Sequence, residues 1–413
     1  MELADPAIGR RSPRGIETSV YSGCDIEEAC ETARAVAARG EFTLMLALFD
    51  RGFEVGELAR CLRREVEVPT QVCSSTAGGV GPFGYIDGCI IFVFFSSSEF
   101  EVLADVVPSI SSGGLERGAS VASNLYQRFQ NHVAHRRMDD AENGKVFALT
   151  FIDGLSKHEE VVVAAVQRGL PNLPLVGGSA GDGLAFEQTY VCLDGRAYTD
   201  AAIVCLIWTK KPFRVFKSDH YRPTDVRLVV TGCDPEKRLV TELNGIDAAQ
   251  EYASVLGLDP QGLTPFSFAA HPLAVRVGGE HYCRSIRRME PDGLSFFCAI
   301  EEGVVLTIAE ATDMIDSMSC ALDRIAEELG GIDVALGFDC ILRRIEVEER
   351  QLTRRVAKVF DDHNVIGFTT YGEQFASMHL NQTLTGIAFG ASKVEPLAEE
   401  HRASVGAGAG AGT

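Results

Sequence analysis

The sequence predicts an α/β protein in which mixed β-sheets are flanked by helices. Apolar runs rich in β-branched and aromatic residues alternate with amphipathic stretches of helical spacing. The order strand, helix, strand recurs three times along the chain, and each recurrence ends in a turn rich in Ser, Thr and Gly that leads to a further strand. The chain has 413 residues, of which 46% are hydrophobic and 23% charged. At roughly 100–200 residues per domain, this length favours two or three globular domains.

The three recurrences define three sequence units. The first consists of strand FTLMLALFD (42–50), helix ELARCLRREV, turn PTQVCSSTAGGVGPFGY and strand GCIIFVFF (88–95). The second consists of strand KVFALTFIDG (145–154), helix HEEVVVAAVQRG, turn LPLVGGSAGDG and strand AAIVCLIW (201–208). The third consists of strand IDVALGFDCIL (332–342), helix EVEERQLTRRVAKVF, turn NVIGFTTYGEQ and strand TLTGIAFG (383–390). We interpret them as repeated strand–helix–strand units.

The glycine-rich turns are the first candidate for a functional site. Glycine permits positive φ and a close approach of the backbone to a ligand. Three such turns in equivalent positions are expected to converge on one face of the molecule. The alternative is that each turn only reverses the chain between two strands.

The residue composition changes between Val215 and about Gly257. A segment rich in Arg, Asp and His (FRVFKSDHYRPTDVR) precedes a strand, LVVT, and a turn, GCDPEK. The following RLVTELNGIDAAQEYASVLG predicts a strand, an Asn-Gly turn and a helix. We place the domain boundary in this region.

Charge and composition exclude several classes of function. The formal net charge of −20 disfavours nucleic acid and anionic membrane surfaces as partners. No apolar stretch reaches the roughly 18–20 residues of a membrane-spanning helix, and the N-terminus lacks the apolar core of a secretory signal. The 12 cysteines include no CxxC pair, so we expect reduced thiols, no zinc site and a cytoplasmic protein.

The turn segments VCSSTAGGVGPFGYIDG and VGGSAGDGLAF, with TELNGIDAAQEYASVLG and GFTTYGEQF in the second half, resemble the FIST domain. The resemblance spans about residues 20–392. It implies a FIST N half (20–222) and a FIST C half (223–392), between a flexible N-terminus (1–19) and a flexible Gly/Ala tail (393–413). The segments PLAVRVGGEHYCRSIRRMEPDG, SFFCAIEEGVVLTIAE, GFDCILRRIE and TTYGEQFASMHLNQTLTGIAFG resemble the haem-binding, nitric-oxide-sensing subgroup called NosP.

The subgroup resemblance implies a non-catalytic sensor that binds haem b without covalent links and detects nitric oxide. Its partner would be a histidine kinase or a cyclic-di-GMP enzyme, either a diguanylate cyclase or a phosphodiesterase. A homo-oligomer is compatible with this role.

Haem requires an axial ligand, an apolar slot and groups that pair with its propionates. His220, next to the predicted domain junction, is the first candidate for the iron ligand, and His271, held extended by the following proline, is the second. A turn histidine paired with Asp219 or Asp225 is the alternative for His220. The candidate propionate partners are arginines, namely Arg222, Arg276, Arg284, Arg287 and Arg288. The candidate porphyrin contacts are aromatic, namely Tyr221, Phe296, Phe297 and Tyr371.

Two other classes of function remain open. In a haem-free FIST module, polar residues of the glycine-rich turns would bind a small metabolite, and these residues are Thr76, Ser179, Asp182, Thr370 and Glu373. An enzyme is disfavoured, because GGSAGDG matches neither GxSxG nor a Walker or GxGxxG loop. Glu373 and His379 lie close in sequence, but no nucleophile accompanies them.

Overall fold

The computed structural model describes residues 7–11, 15–138, 143–277 and 279–390. Within these residues the strands form four β-sheets. Three of the sheets are built on one plan, and each belongs to one of the three sequence units. This confirms the predicted α/β class with mixed sheets and flanking helices.

The first unit contains strands β1 to β7 and helices α1 and α2. Its elements are β1 (Ala7–Arg11), β2 (Ile16–Ser22), α1 (Ile26–Ala37), β3 (Phe42–Phe49), α2 (Val55–Glu65), β4 (Thr70–Ser75), β5 (Gly79–Gly81), β6 (Gly84–Ile86) and β7 (Cys89–Ser96).

The second unit repeats this order. Its elements are β8 (Phe100–Pro108), a 3-10 turn (Ile110–Ser112), α3 (Gly114–Arg136), β9 (Lys145–Ile152), α4 (Glu159–Gly169), β10 (Leu175–Ser179), β11 (Val191–Leu193), β12 (Arg196–Tyr198) and β13 (Ala201–Thr209).

The third unit begins at β14 (Phe213–Ser218) and is interrupted by an inserted sheet before it continues. The insert consists of β15 (Tyr221–Asp234), β16 (Leu239–Leu243), β17 (Ile246–Asp247), α5 (Ala248–Leu256), a 3-10 turn (Pro260–Gly262), α6 (Pro265–Ala270), β18 (Leu273–Val277), β19 (Glu280–Arg284), β20 (Ile286–Glu290), β21 (Gly293–Phe296) and β22 (Val305–Ala311). The unit then continues with α7 (Met314–Leu329), β23 (Ile332–Cys340), α8 (Ile341–Glu349), α9 (Thr353–Asp362), β24 (Val365–Thr370), β25 (Glu373–Phe375), β26 (Met378–Leu380) and β27 (Leu384–Gly390).

The central strands of the three unit sheets have equivalent orders. These orders are β2-β7-β3-β4, β8-β13-β9-β10 and β14-β27-β23-β24. In each sheet the two strands joined by a helical crossover run parallel, and the last strand of the unit runs antiparallel beside the first of them. The three units are therefore copies of one topology, as the sequence predicts.

Each unit also contributes a short hairpin to the sheet of another unit. The β5–β6 hairpin pairs with β24, β11–β12 pairs with β4, and β25–β26 pairs with β10. The hairpins cover strand edges that would otherwise be free to pair with other chains. Because the exchange runs from unit 1 to unit 3, from unit 3 to unit 2 and from unit 2 to unit 1, it joins the units in a closed ring.

The main core lies between the inner faces of the three unit sheets. Phe389 of the third unit packs edge-on against Phe95 of the first, with ring centroids 6.1 Å apart, and lies 5.8 Å from Phe147 of the second. The outer faces are covered by helices of the same units. Strands such as β3 are buried on both faces, which explains why they are continuously apolar.

Two regions differ from the sequence prediction. The third crossover is two helices, because Gln351 adopts a left-handed backbone with φ of 57° and Leu352 N–H closes the end of α8 on the carbonyl of Val347. The expected flexible N-terminus, residues 1–19, includes strands: β1 pairs with β2, which pairs with β7 along its whole length. The expected Gly/Ala tail lies outside the described residues.

The predicted domain boundary, between residues 222 and 223, falls inside a strand, β15. Strand β14 belongs to the third unit sheet, and β15 is a long strand of the inserted sheet. Asn244 and Gly245 both have positive φ, as the predicted Asn-Gly turn requires. Helices α5 and α6 contribute to the core of the insert. None of the described helices combines the length and apolarity that crossing a bilayer demands.

Candidate functional site

The three glycine-rich turns converge, as predicted from their equivalent positions. Between the first and third turns, Ala77 N–H donates to the Thr369 carbonyl at 2.8 Å. Gly181 N–H of the second turn donates to the Ser75 carbonyl of the first at 3.1 Å, and Ser179 N–H donates to the Gly372 carbonyl of the third at 2.8 Å. These backbone hydrogen bonds close a ring among the three turns.

Gly181 shows why the turns need glycine. A Cβ at this position would lie 2.8 Å from the backbone nitrogen of Ala77. Any other residue would force the first and second turns apart. The ring of turns therefore depends on close backbone contact, which a side chain would prevent.

The five polar turn residues proposed as ligand contacts are buried and bonded within the protein. Thr76 Oγ1 accepts from Gly78 N–H, and Ser179 Oγ accepts from Gln374 Nε2 at 2.9 Å. Thr370 Oγ1 donates to Glu373 Oε1 at 2.5 Å, while Thr383 donates to Glu373 Oε2. These groups hold the turns together.

Asp182 connects the ring of turns to an adjacent pocket. Its carboxylate accepts hydrogen bonds from the N–H groups of residues 186–188 and from the Tyr371 hydroxyl. Burial raises its pKa, but these hydrogen bonds outweigh burial and hold the pKa below its usual value. Asp182 thus fixes both Phe186 and Tyr371.

A pocket of about 310 Å³ opens beside these two aromatic residues. Its walls come from both halves of the chain: Gly154, Lys157 and Phe186 from the second unit, Arg238, Arg287 and Phe297 from the inserted sheet, and Tyr371 from the third unit. A volume of this size is at the lower end of small-molecule sites, which span roughly 300–1,000 Å³.

Aromatic rings form one wall of the pocket. Phe186 stacks on Tyr371 with ring centroids 4.7 Å apart and an interplanar angle of 28°. Phe297 lies 6.0 Å from Phe186, and the Arg287 guanidinium lies 4.6 Å from the centroid of the Phe186 ring. The wall combines apolar surface with a cation.

The backbone around the pocket is strained. Lys157, Phe186 and Arg238 have φ of 61°, 55° and 54°, in the left-handed region that residues with a side chain rarely adopt. Such conformations are concentrated at ligand sites, where the surrounding structure maintains them. All three residues line this one pocket.

Five basic residues line the pocket, in a protein with a large acidic surplus. They are Lys157, Lys237, Arg238, Arg287 and Arg288, and they face two acidic lining residues, Glu187 and Glu290. The residues that line the pocket therefore carry a positive net charge, whereas the chain as a whole is negative.

The two predicted iron ligands, His220 and His271, lie outside this pocket. His220 is the first of them. Its side chain is buried, with Nε2 2.9 Å from Glu346 Oε2 and Nδ1 3.0 Å from Arg343. Burial lowers the pKa of His220 more than the Glu346 carboxylate raises it. Tyr221 donates to the same Glu346 oxygen at 2.9 Å and to the Ala269 carbonyl.

The other predicted haem residues do not join His220 around a large cavity. Arg222 is exposed and pairs with Glu310 at 3.6 Å, while Arg284 donates to the carbonyls of Cys283 and His379. His271 ends α6, and its carbonyl accepts from Tyr252 at 2.7 Å.

The space beside Tyr221 is about 30 Å³, which suits a water molecule and is far too small for a porphyrin. As folded here, the predicted set does not fit haem, because both nitrogens of the His220 ring are engaged and, among the residues that the structure describes, no slot for the macrocycle adjoins the ring. Among the described residues, no group of three or more His, Cys, Asp or Glu side chains is arranged to hold a metal ion.

Part of the pocket was anticipated from the sequence with a different role. Arg287, Arg288, Phe296, Phe297 and Tyr371, predicted as propionate and porphyrin contacts, all line it. Lys157, Phe186 and Arg238 were not predicted. The sequence signal for Phe186 is its position three residues after the AGDG turn.

Comparison with known proteins agrees with this architecture. The FIST N domain model matches residues 43–246 and the FIST C domain model matches residues 248–376. An uncharacterized protein of Methanocaldococcus jannaschii is 22% identical over 412 aligned residues, which cover 91% of this chain and 78% of that protein. FIST domains are sensory modules of signal transduction. The chain belongs to the FIST family and carries both its N and C domains.

Proposed function

We propose that this protein is a sensory module that responds to a small molecule bound in the pocket formed by Lys157, Phe186, Arg238, Arg287, Phe297 and Tyr371. The observation that supports the proposal is that both FIST domains contribute walls to this one pocket, beside the ring of turns that joins the three units. A ligand that contacts both domains favours the conformation in which their walls are correctly spaced. Binding is thereby converted into a change in domain placement that a partner can detect.

A thermal-shift screen tests this proposal. The purified protein would be heated with amino acids, nucleotides and small aromatic acids, and we expect at least one compound to raise the Tm, because a ligand that binds only the folded state stabilises it. Phe186→Ala removes the aromatic residue that stacks on Tyr371 and should abolish the shift.

Phe83→Ala provides a matched control for this screen. Phe83 is 61% exposed and is not a lining residue of the pocket. This variant should retain the wild-type shift. A screen in which compounds stabilise Phe186→Ala as strongly as the wild type would contradict the assignment of the pocket.

The resemblance to the nitric-oxide-sensing subgroup supplies a more specific proposal, in which the ligand is haem b and the output partner is a histidine kinase or a cyclic-di-GMP enzyme. This remains a prediction. It requires His220 to leave Glu346 and Arg343 or another residue to serve as the iron ligand. Hemin titration followed by the Soret absorbance tests it, with His220→Ala and His271→Ala as variants. If hemin gives no protein-bound Soret band but compounds bind in the thermal-shift screen, the haem proposal is contradicted and the small-molecule proposal is supported.

A further inference from the structure

We propose that the ligand of this pocket is a small organic anion, with its carboxylate or phosphate on Arg287 and its apolar body against Phe186 and Phe297. This inference rests on the proposed function, since it assigns a chemical class to the ligand of the same site. The observation that supports it is that the partly buried guanidinium of Arg287, beside the pocket, has no hydrogen-bond acceptor among the described residues.

Arg287 lacks the partners that a guanidinium in its position normally has. Within the described part of the chain it makes no ion pair and no hydrogen bond, and its Nε is buried without an acceptor. Burial lowers the pKa of Arg287, and the neighbouring Arg288 lowers it further. The group remains charged at neutral pH, because the unperturbed pKa of arginine is above 12.

The Arg287 guanidinium therefore lacks a hydrogen-bond acceptor among the described residues. Leaving a buried donor unsatisfied costs stability, and the cost is greater when the group is charged. A carboxylate or phosphate satisfies a guanidinium with two parallel hydrogen bonds. An anion entering the pocket would supply the missing acceptors.

The other basic lining residues leave Arg287 as the main anchor. Arg238 is paired with Glu159 and Glu160, Lys237 with Asp234, and Arg288 with Glu290. Lys157 has no carboxylate partner in the described residues and is exposed, so it can assist at the rim. The acidic Glu187 is also exposed, which places its charge in solvent.

Phe186 and Phe297 provide surface for the rest of the ligand. One neighbour of the Phe186 ring is Tyr371 and another is the Arg287 guanidinium, so the ring holds the cation in place. An inorganic anion would use only the charge, whereas an organic anion would also remove apolar surface from water. The site is therefore expected to prefer an organic acid to inorganic phosphate.

Matched pairs of acids and amides test the inference by isothermal titration calorimetry on the full chain. The probes are benzoate and other small carboxylates, each with its primary amide, together with phenyl phosphate and inorganic phosphate. We expect the acids to bind at least about 10-fold more tightly than their amides, which corresponds to about 1.4 kcal/mol. Benzoate against phenyl phosphate distinguishes the two anionic groups, and phenyl phosphate against inorganic phosphate measures the contribution of the apolar body.

Two arginines provide the variant and its control. Arg287→Gln should remove the preference for acids, and Arg287→Lys should restore part of it, because lysine keeps the charge but not the bidentate geometry. Arg222→Gln should keep the preference, since Arg222 is exposed, pairs with Glu310 and does not line the pocket. Circular dichroism and thermal unfolding of each variant confirm that it is folded.

Amides that bind as tightly as their acids would overturn the anionic ligand but leave the pocket as a small-molecule site. If Arg287→Gln still binds the acids more tightly than their amides, Arg287 is not the residue that binds the anionic group. If no compound of either set binds, both the inference and the proposed function fail.

Discussion

At the residue scale, the same kinds of side chain take different roles according to burial and partners. His220 was expected to be a metal ligand, but its two ring nitrogens face Glu346 and Arg343 in a buried charged network. Arg343 also donates to Asp339 at 2.6 Å, and Asp339 accepts from Tyr85 at 2.7 Å. The network connects the swapped β5–β6 hairpin, helix α8 and the start of the inserted sheet.

Glu373 is the buried acid whose protonation should couple stability to pH. Burial raises its pKa to about 8, although hydrogen bonds from Thr370 and Thr383 act in the opposite direction. In the unfolded chain the same group titrates near its usual value of about 4.3. The folded protein therefore binds more protons than the unfolded chain between about pH 4.3 and pH 8.

The free energy of unfolding should fall as the pH rises through this window, because stability decreases with pH wherever the folded state holds the extra proton. We expect a contribution on the order of a few kcal/mol, measured by urea unfolding between pH 5 and pH 8.5. Glu373→Gln cannot titrate and should reduce the slope. Glu159, with its pKa raised to about 7 by burial, adds a slope of the same sign that remains in the variant. Equal slopes in the two proteins would contradict the role of Glu373.

At the element scale, Arg238 connects the turn between β15 and β16 to the start of α4. Its guanidinium donates to Glu159 at 2.5 Å and to Glu160 at 2.6 Å, and it also donates to the Phe297 carbonyl. The side chain is 6% exposed. This contact joins the inserted sheet to a helix of the second unit, directly at the proposed ligand pocket.

Arg238→Met should destabilise the protein by about 3–5 kcal/mol, because it leaves two carboxylates without their buried partner. The additional substitution Glu159→Gln should recover part of this loss, since it removes one uncompensated charge. Chemical denaturation of the single and double variants measures both effects. Lys237→Met is the control: its side chain is 74% exposed, and the change should be within about 0.5 kcal/mol. A double variant no more stable than Arg238→Met would argue against the charge explanation.

At the scale of the whole molecule, the exchanged hairpins make the three units interdependent. Without the third unit, the β5–β6 hairpin has no β24 to pair with, and β10 loses β25. The core formed by Phe95, Phe147 and Phe389 would also lose its third side. The matched FIST N and FIST C domains should therefore not fold independently.

A chain truncated after residue 212 tests this interdependence. Calorimetry of the full-length protein should show one cooperative unfolding transition, whereas the truncated chain should show no cooperative transition of its own, because its exposed strand edges and apolar core favour aggregation. Two separate transitions in the full-length protein, or a sharp transition in the truncated chain, would show that the halves are autonomous.

Much of the fold could be predicted because its signals are local. The strands β3, β9 and β23, their crossovers and the Asn244–Gly245 turn follow from periodicity and from turn residues within short windows. The break between α8 and α9 was missed, since its apolar pattern continues across Gln351. The exchange of hairpins could not be predicted, because short strands such as β5 and β25 have no sequence feature that selects one sheet edge over another.

The sequence alone determined the three repeated units, the α/β class and the convergence of the glycine-rich turns, because these depend on spacing along the chain. The tertiary structure decided which polar residues meet. Tyr371 reaches Asp182 across 189 positions, Arg238 reaches Glu159 across 79, and His220 reaches Glu346 across 126. Such contacts depend on how the units pack rather than on local propensity. For this reason Arg287 could be named as a candidate anion partner from the sequence, while the pocket that gives it that role appears only in the folded chain.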